Sequence, residues 1–360
     1  MARPKNVYRG KRRWRWVITL LALILVLALA LGAWLFSYMQ RYVVYDRDGL
    51  RVVLPFERGT DGGADDGGGF TAYDVDAEIA VEKPTFDGLD LGAGEGLSEL
   101  HALYVPAASV KADTLKGYAA TLPATEYNAL LIQLKVPEGY LSCKSSVPLA
   151  DSYGVNGTED ISEALYALEQ AGIYLAAEVC TLRDDAMATR NTPIALKTSS
   201  GEVVTDSAGS WLDPYSEGTR DYYAALFAEL EHLGFNEVVL TGLEYPDAQD
   251  VVFSLTLGGD TDRVSSISTF CVRMSRLARD AGLGCSAFCS ESALRAGTSA
   301  DKGQDISLFF KAFDRVYVKT DSENRAVDVR SLSPYAGDAG TRIVPVCYGT
   351  GVGGSWCALK

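Results

Sequence analysis

The chain has 360 residues, 48% of them hydrophobic, and 33 Lys+Arg against 47 Asp+Glu give it a formal net charge of −14. Such an excess of negative charge repels phosphate backbones and anionic lipid, which excludes nucleic acid as a partner. Only two histidines are present, too little material for a histidine-built metal centre or a Ser-His-Asp triad, and no metal or cofactor is expected.

Residues 1–16 form a basic tail, with Arg3, Lys5, Arg9, Lys11, Arg12, Arg13 and Arg15 and no acidic residue. Residues 17–38 then run without a charge, and as a helix of about 33 Å they reach across a bilayer. Trp14 and Trp16 on one side and Trp34, Tyr38 and Tyr42 on the other suit the two interfaces, while the basic flank stays in the cytoplasm. A cleaved signal peptide is the rival reading, but its apolar core is usually only about 7–15 residues long. The expectation is one transmembrane helix, a signal anchor at 17–38 in the cell membrane, with everything after it extracytoplasmic. Without the seven basic residues of the tail, 26 Lys+Arg remain against 47 Asp+Glu, so the exported part is still more acidic.

Residues 39–57 form a juxtamembrane segment with strand-like pieces at 42–45 and 50–56. The Gly/Asp-rich stretch 58–70 is too poor in side chains to pack and reads as a flexible linker. Residues 71–98 lead into the main domain, 99–360, a length suited to one large α/β barrel.

Within that domain strands are predicted at 100–105, 128–135, 173–182, 237–243, 284–290, 315–319 and 342–348. Helices are predicted between them at 113–121 (capped by Asp113), 160–170, 216–232, 263–281 and 305–313. Strands alternating with helices of this length imply parallel β-α units and the α/β class, a (β/α)8 TIM-type barrel. Seven strands are one short of closure, so the barrel is either incomplete or closed by an upstream strand such as 73–81. Residues 349–360 show no eighth unit, and the glycines of 349–354 lack the context of a phosphate loop. The seven cysteines lie in apolar contexts and read as small buried hydrophobes. Cys285 and Cys289 on one strand would be about 13 Å apart, too far for a disulfide, whereas a pair involving Cys347 or Cys357 stays open.

Strand alternation selects the residues that face the barrel axis. With Leu130, Ile132 and Leu134 outward, Gln133 and Lys135 turn inward; with Leu175, Ala177 and Val179 outward, so does Glu178. Lys135 and Glu178 on adjacent strands therefore invite pairing, either as an inert internal ion pair or with Glu178 as an acid, a base or an acceptor for sugar hydroxyls. Thr241 ends the fourth strand, and Glu244 follows at the carboxyl-terminal rim, where barrel active sites lie. Glu244 beside Tyr245 suits a sugar, whose hydroxyls need acceptors and whose apolar faces stack on aromatics. A solvated rim glutamate is the competing reading. Asp213, between Trp211 and Pro214, is a candidate cap for the following helix, and Asp184 and Asp185 are rim acids or caps.

These residues resemble the putative glycosyl hydrolase domain family of exported and membrane-anchored bacterial proteins, which implies a (β/α)8 barrel related to α-amylase-like glycosidases. The resemblance runs through Asn128-Ala-Leu-Leu-Ile-Gln133-Leu-Lys135, Leu175-Ala-Ala-Glu178-Val-Cys-Thr-Leu182-Arg183-Asp184, Trp211-Leu-Asp213-Pro214 and Gly234-Phe-Asn-Glu-Val-Val-Leu-Thr241-Gly-Leu-Glu244-Tyr245-Pro246. It implies a cell-wall or other polysaccharide as partner; on the reading of the residues above, Glu178 and Glu244 are the candidate catalytic carboxylates, and Gln133, Lys135, Asp184, Trp211, Asp213, Thr241 and Tyr245 the candidate substrate-binding residues. The chain departs from the family at the polar positions: Gln133 and Thr241 stand where the family has Asp, and Glu178 and Glu244 where it has Arg. Either the two glutamates form a relocated acid/base pair, or the barrel is inactive and binds glycan or a protein without cutting it.

Overall fold

The computed structural model describes residues 43–46, 49–52, 86, 89, 91, 99–248, 250–252, 263–319, 342–349 and 354–359. The chain divides into two units, Met1–Ala80 and Val81–Lys360. In the first, Val43–Asp46 and Gly49–Val52 pair as an antiparallel hairpin. The expected anchor at 17–38, the linker at 58–70 and the upstream strand at 73–81 lie outside the described residues, as does the whole connection 320–341. Among the described residues, no helix is long and apolar enough to cross a membrane.

The second unit is a closed barrel of eight parallel strands: β1 (His101–Val105), β2 (Ala129–Lys135), β3 (Tyr174–Cys180), β4 (Glu237–Thr241), β5 (Gly284–Ser290), β6 (Val316–Lys319), β7 (Ile343–Tyr348) and β8 (Trp356–Leu359). Seven coincide with the predicted strands to within two residues at either end. The eighth corrects the expectation of an incomplete barrel or an upstream closing strand. Trp356 pairs with His101 and Cys357 with Ala102, closing the ring between the last strand and the first. The Trp356 ring stacks on His101 at 4.9 Å and meets Tyr127 edge-on at 5.4 Å, which fixes the seam.

Around the strands lie α1 (Ala112–Thr121), α2 (Pro148–Ser152), α3 (Ser162–Gln170), α4 (Asp185–Arg190), α5 (Glu217–His232), α6 (Arg263–Asp280), α7 (Glu291–Ala296) and α8 (Ile306–Ala312). Helices α3, α5 and α6 end alike: Gly172, Gly234 and Gly282 all have positive φ. The next residue's N–H then reaches back to Leu168, Leu230 and Ala278 respectively. This is the Schellman turn, which only a residue at ease in the left-handed region permits. It sends the chain from each helix directly into β3, β4 and β5. Two expected caps are corrected. Lys111, not Asp113, is the residue before α1, and no side chain caps it. Ser216 precedes α5, and Asp213 lies three residues further back.

The apolar residues form two shells. Outward-facing Leu103, Leu130, Ile132, Leu175, Ala177, Val238 and Leu240 pack against the helices, including Leu165, Phe227 and Phe270. Inside the ring, Ala102, Leu131, Ala176, Val239, Tyr317, Val344 and Cys357 fill the lumen. Below them a buried ion pair joins Arg315 to Glu237 at 2.6 Å, with the Tyr174 hydroxyl donating to Glu237 at 2.9 Å. All seven cysteines are buried and unpaired. Cys347 and Cys357 are both free thiols in this structure.

Candidate functional site

At the carboxyl-terminal end of the strands the lumen opens into a cavity of about 600 Å³. Its wall follows from strand alternation: Tyr104 is two residues beyond Ala102 on β1, Gln133 two beyond Leu131, Glu178 two beyond Ala176, and Thr241 two beyond Val239. Phe288 and Lys319 occupy the matching places on β5 and β6. Arg183, Glu244 and Tyr348 complete the rim. Of the residues singled out in the sequence, Gln133, Glu178, Thr241 and Glu244 therefore share one cavity. Tyr104, Arg183, Phe288, Lys319 and Tyr348 share it too, and were missed. The alternations Leu100-Ala102-Tyr104 and Arg315-Tyr317-Lys319 carry the signal for two of them.

Glu178 is the carboxylate set deepest in the wall, with 7% of its surface exposed. Gln133 stands directly opposite in the strand register, and its amide donates to Glu178 Oε1 at 3.0 Å. The Tyr104 hydroxyl also bonds to this carboxylate. Burial raises the Glu178 carboxyl above the usual range; the bonds from Gln133 and Tyr104 and the charge of Lys319 pull the other way without cancelling it. Tyr104 is itself held in its neutral form, by burial first and by Glu178 second. Glu244 is more exposed and faces Lys302, 3.8 Å away.

The expected pairing of Lys135 with Glu178 does not occur. Between Gln133 and Lys135 the register with β3 shifts, so that Lys135 opposes Val179 rather than the next inward residue. The bulge reverses the alternation and sends Lys135 into the helix layer. There it meets Asp184 at 2.6 Å with neither side chain exposed, donates to the Cys180 carbonyl at 2.8 Å and lies 5.6 Å from the centre of the Tyr223 ring. Asp184 caps α4 through the Met187 N–H. Asp185 instead accepts from the Ser210 N–H.

Three more residues read as substrate-binding lie outside the cavity wall. Trp211 is 1% exposed and bridges to Arg183 through its backbone, making it a packing residue rather than a stacking platform. Asp213 is buried, and its carboxylate accepts from the Tyr215 N–H at 2.8 Å in a turn before α5. Tyr245 lies under the Arg263 guanidinium, 4.3 Å from the ring centre.

The sequence pattern of the family described as putative glycosyl hydrolase domain matches residues 102–317. No curated protein sequence matches the chain. Among solved structures, a hypothetical protein from Ruminiclostridium thermocellum is similar at 23% identity and TM-score 0.44, over 51% of this chain and 96% of that one. The GH20 β-N-acetylhexosaminidase of Streptomyces coelicolor aligns at 15% identity and TM-score 0.43, and the GH20 exo-β-N-acetylglucosaminidase of Vibrio harveyi at 13% and 0.47. Each of these two alignments covers 69% of this chain, but only 48% and 41% of the enzyme.

Proposed function

We infer, from the fact that the chain belongs to the putative glycosyl hydrolase domain family, that it is a glycoside-hydrolase-like protein acting on or binding a cell-surface or extracellular polysaccharide. The observation that carries this reading is the cavity at the barrel mouth, in which a buried carboxyl group, polar side chains and three aromatic rings face one space. In this reading the Glu178 carboxyl, which burial favours in its protonated form, gives its proton to the glycosidic oxygen as the bond to the anomeric carbon breaks. Glu244 takes a proton from the water that attacks that carbon, while Gln133 and Thr241 bind sugar hydroxyls. Lys135, Asp184, Trp211, Asp213 and Tyr245 do not line the cavity and have no contact with the sugar in this reading. The charge-free run 17–38 and its basic flank support a single-pass anchor that leaves the barrel outside the cell.

The test is to incubate the full chain with wall polysaccharides and measure bound glycan and released reducing ends. Turnover abolished by both Glu178→Gln and Glu244→Gln supports hydrolysis by this pair. A second reading, binding without cleavage, is favoured by one observation: the side chains bonded to Glu178 are the Gln133 amide and the Tyr104 hydroxyl, neither of them a second carboxylate. It predicts retained glycan and no reducing ends.

A further inference from the structure

Arg183 and Lys319 both line the cavity, Arg183 after β3 and Lys319 at the end of β6, three strands away around the ring. Neither side chain has a hydrogen-bond or ion-pair partner among the described residues, and Arg183 Nε is buried with no acceptor. Arg279 and Arg342 also have a buried Nε without an acceptor, but their terminal nitrogens bind Asp314 and the Phe310 and Phe313 carbonyls, and Arg190 and Arg315 bind two backbone carbonyls and Glu237. Arg183 thus stands at the cavity without an acceptor for Nε among the described residues, while Lys319, exposed at its strand end, acts on Glu178 through its charge alone. A half-buried guanidinium without an acceptor is costly unless something arrives to accept its hydrogen bonds.

We propose that the cavity takes an acidic sugar, a uronate-type ring whose carboxylate is gripped by the Arg183 guanidinium and attracted by Lys319 while its apolar face lies on Phe288 or Tyr348. The planar fork of an arginine matches a carboxylate through two parallel hydrogen bonds, and an aromatic wall suits the ring behind it. The raised Glu178 carboxyl fits the same picture, because a protonated acid beside the site does not repel the ligand. The proposal rests on the glycan reading above and narrows it.

Calorimetric titration of the full chain with galacturonate, glucuronate and mannuronate oligosaccharides, each beside its uncharged methyl ester, tests it. At least one acid is expected to bind about tenfold or more tighter than its ester. Raising the salt concentration should narrow that ratio. Arg183→Gln should collapse it, whereas Arg220→Gln, which removes a charge paired with Asp221 on the outer surface, should preserve it. Lys319→Gln, at an exposed strand end, provides the same reading if Arg183→Gln does not fold. Esters that bind as tightly as the acids overturn the acidic-sugar proposal and leave the glycan reading standing. If neither form nor any neutral oligosaccharide binds, both fall.

Discussion

Gln133 and Glu178 face each other across neighbouring parallel strands, joined by a 3.0 Å hydrogen bond from amide to carboxyl oxygen. An amide is a donor that carries no charge, so it orients Glu178 without forcing it to ionise. The carboxyl keeps its proton above the ordinary carboxylate range because burial outweighs the groups that favour the anion. The folded state then binds more protons than the unfolded state as pH rises past that range, and stability must fall there. Glu178→Gln removes the group concerned. Its denaturant midpoint should depend less on pH between 4 and 8 than that of the unaltered protein, with the variant relatively more stable at the alkaline end. Parallel curves would show that Glu178 titrates normally.

The Lys135–Asp184 pair is sealed from solvent, and removing one partner leaves the other charge buried alone. Lys135→Met is expected to cost roughly 3–5 kcal/mol in urea unfolding. Adding Asp184→Asn should cost less than the sum of the two single changes, with a coupling of about 0.5–3 kcal/mol. Strict additivity would mean that the two side chains do not act as a pair.

Gly139 has φ +93°, and a Cβ built there would lie 1.9 Å from Asp184 Oδ1; Gly201 has φ +84° and open space around it. Ala at Gly201 therefore meets backbone strain alone, about 1 kcal/mol, whereas Ala at Gly139 also collides with the buried ion pair. Thermal unfolding of the two variants should show the larger loss for Gly139→Ala, with a further cost on the order of 1–3 kcal/mol. Equal losses would place the strain in the backbone only.

Trp211 and Tyr348 separate packing from binding. Trp211→Ala should destabilise the protein by roughly 3–5 kcal/mol, since the ring is 1% exposed. Tyr348 is 58% exposed on the cavity rim, so Tyr348→Ala should change stability by less than about 0.5 kcal/mol and weaken glycan binding in the titrations above. A Tyr348→Ala variant that binds glycan unchanged would remove that ring from the recognition surface.

Much of this architecture is legible in the amino-acid order, for a physical reason. Parallel strands buried on both faces read as continuous apolar runs, and the glycines that end α3, α5 and α6 mark the boundaries before β3, β4 and β5. β8 escapes that reading because Trp-Cys-Ala-Leu is four residues long and follows a Gly-rich stretch where a helix is expected. The cavity is half legible: alternation finds Gln133, Glu178 and Thr241, and the same alternation on β1 and β6 leads to Tyr104 and Lys319. Lys135 marks where alternation fails. A single-residue bulge moves a side chain from one face to the other and leaves no trace in the pattern of apolar residues.

The seam between β8 and β1 brings together groups 255 positions apart, as in the bond from Leu100 N–H to Ser355 Oγ. Closing a loop of that span is among the slowest kinds of contact a chain makes. Until it forms, β8 and β1 are bare sheet edges, each a template for another chain. The four residues of β8 thus govern solubility during folding as well as the final shape. Their partner ring, Trp356 on His101, is where a substitution would raise the yield of aggregate before it altered anything at the barrel mouth.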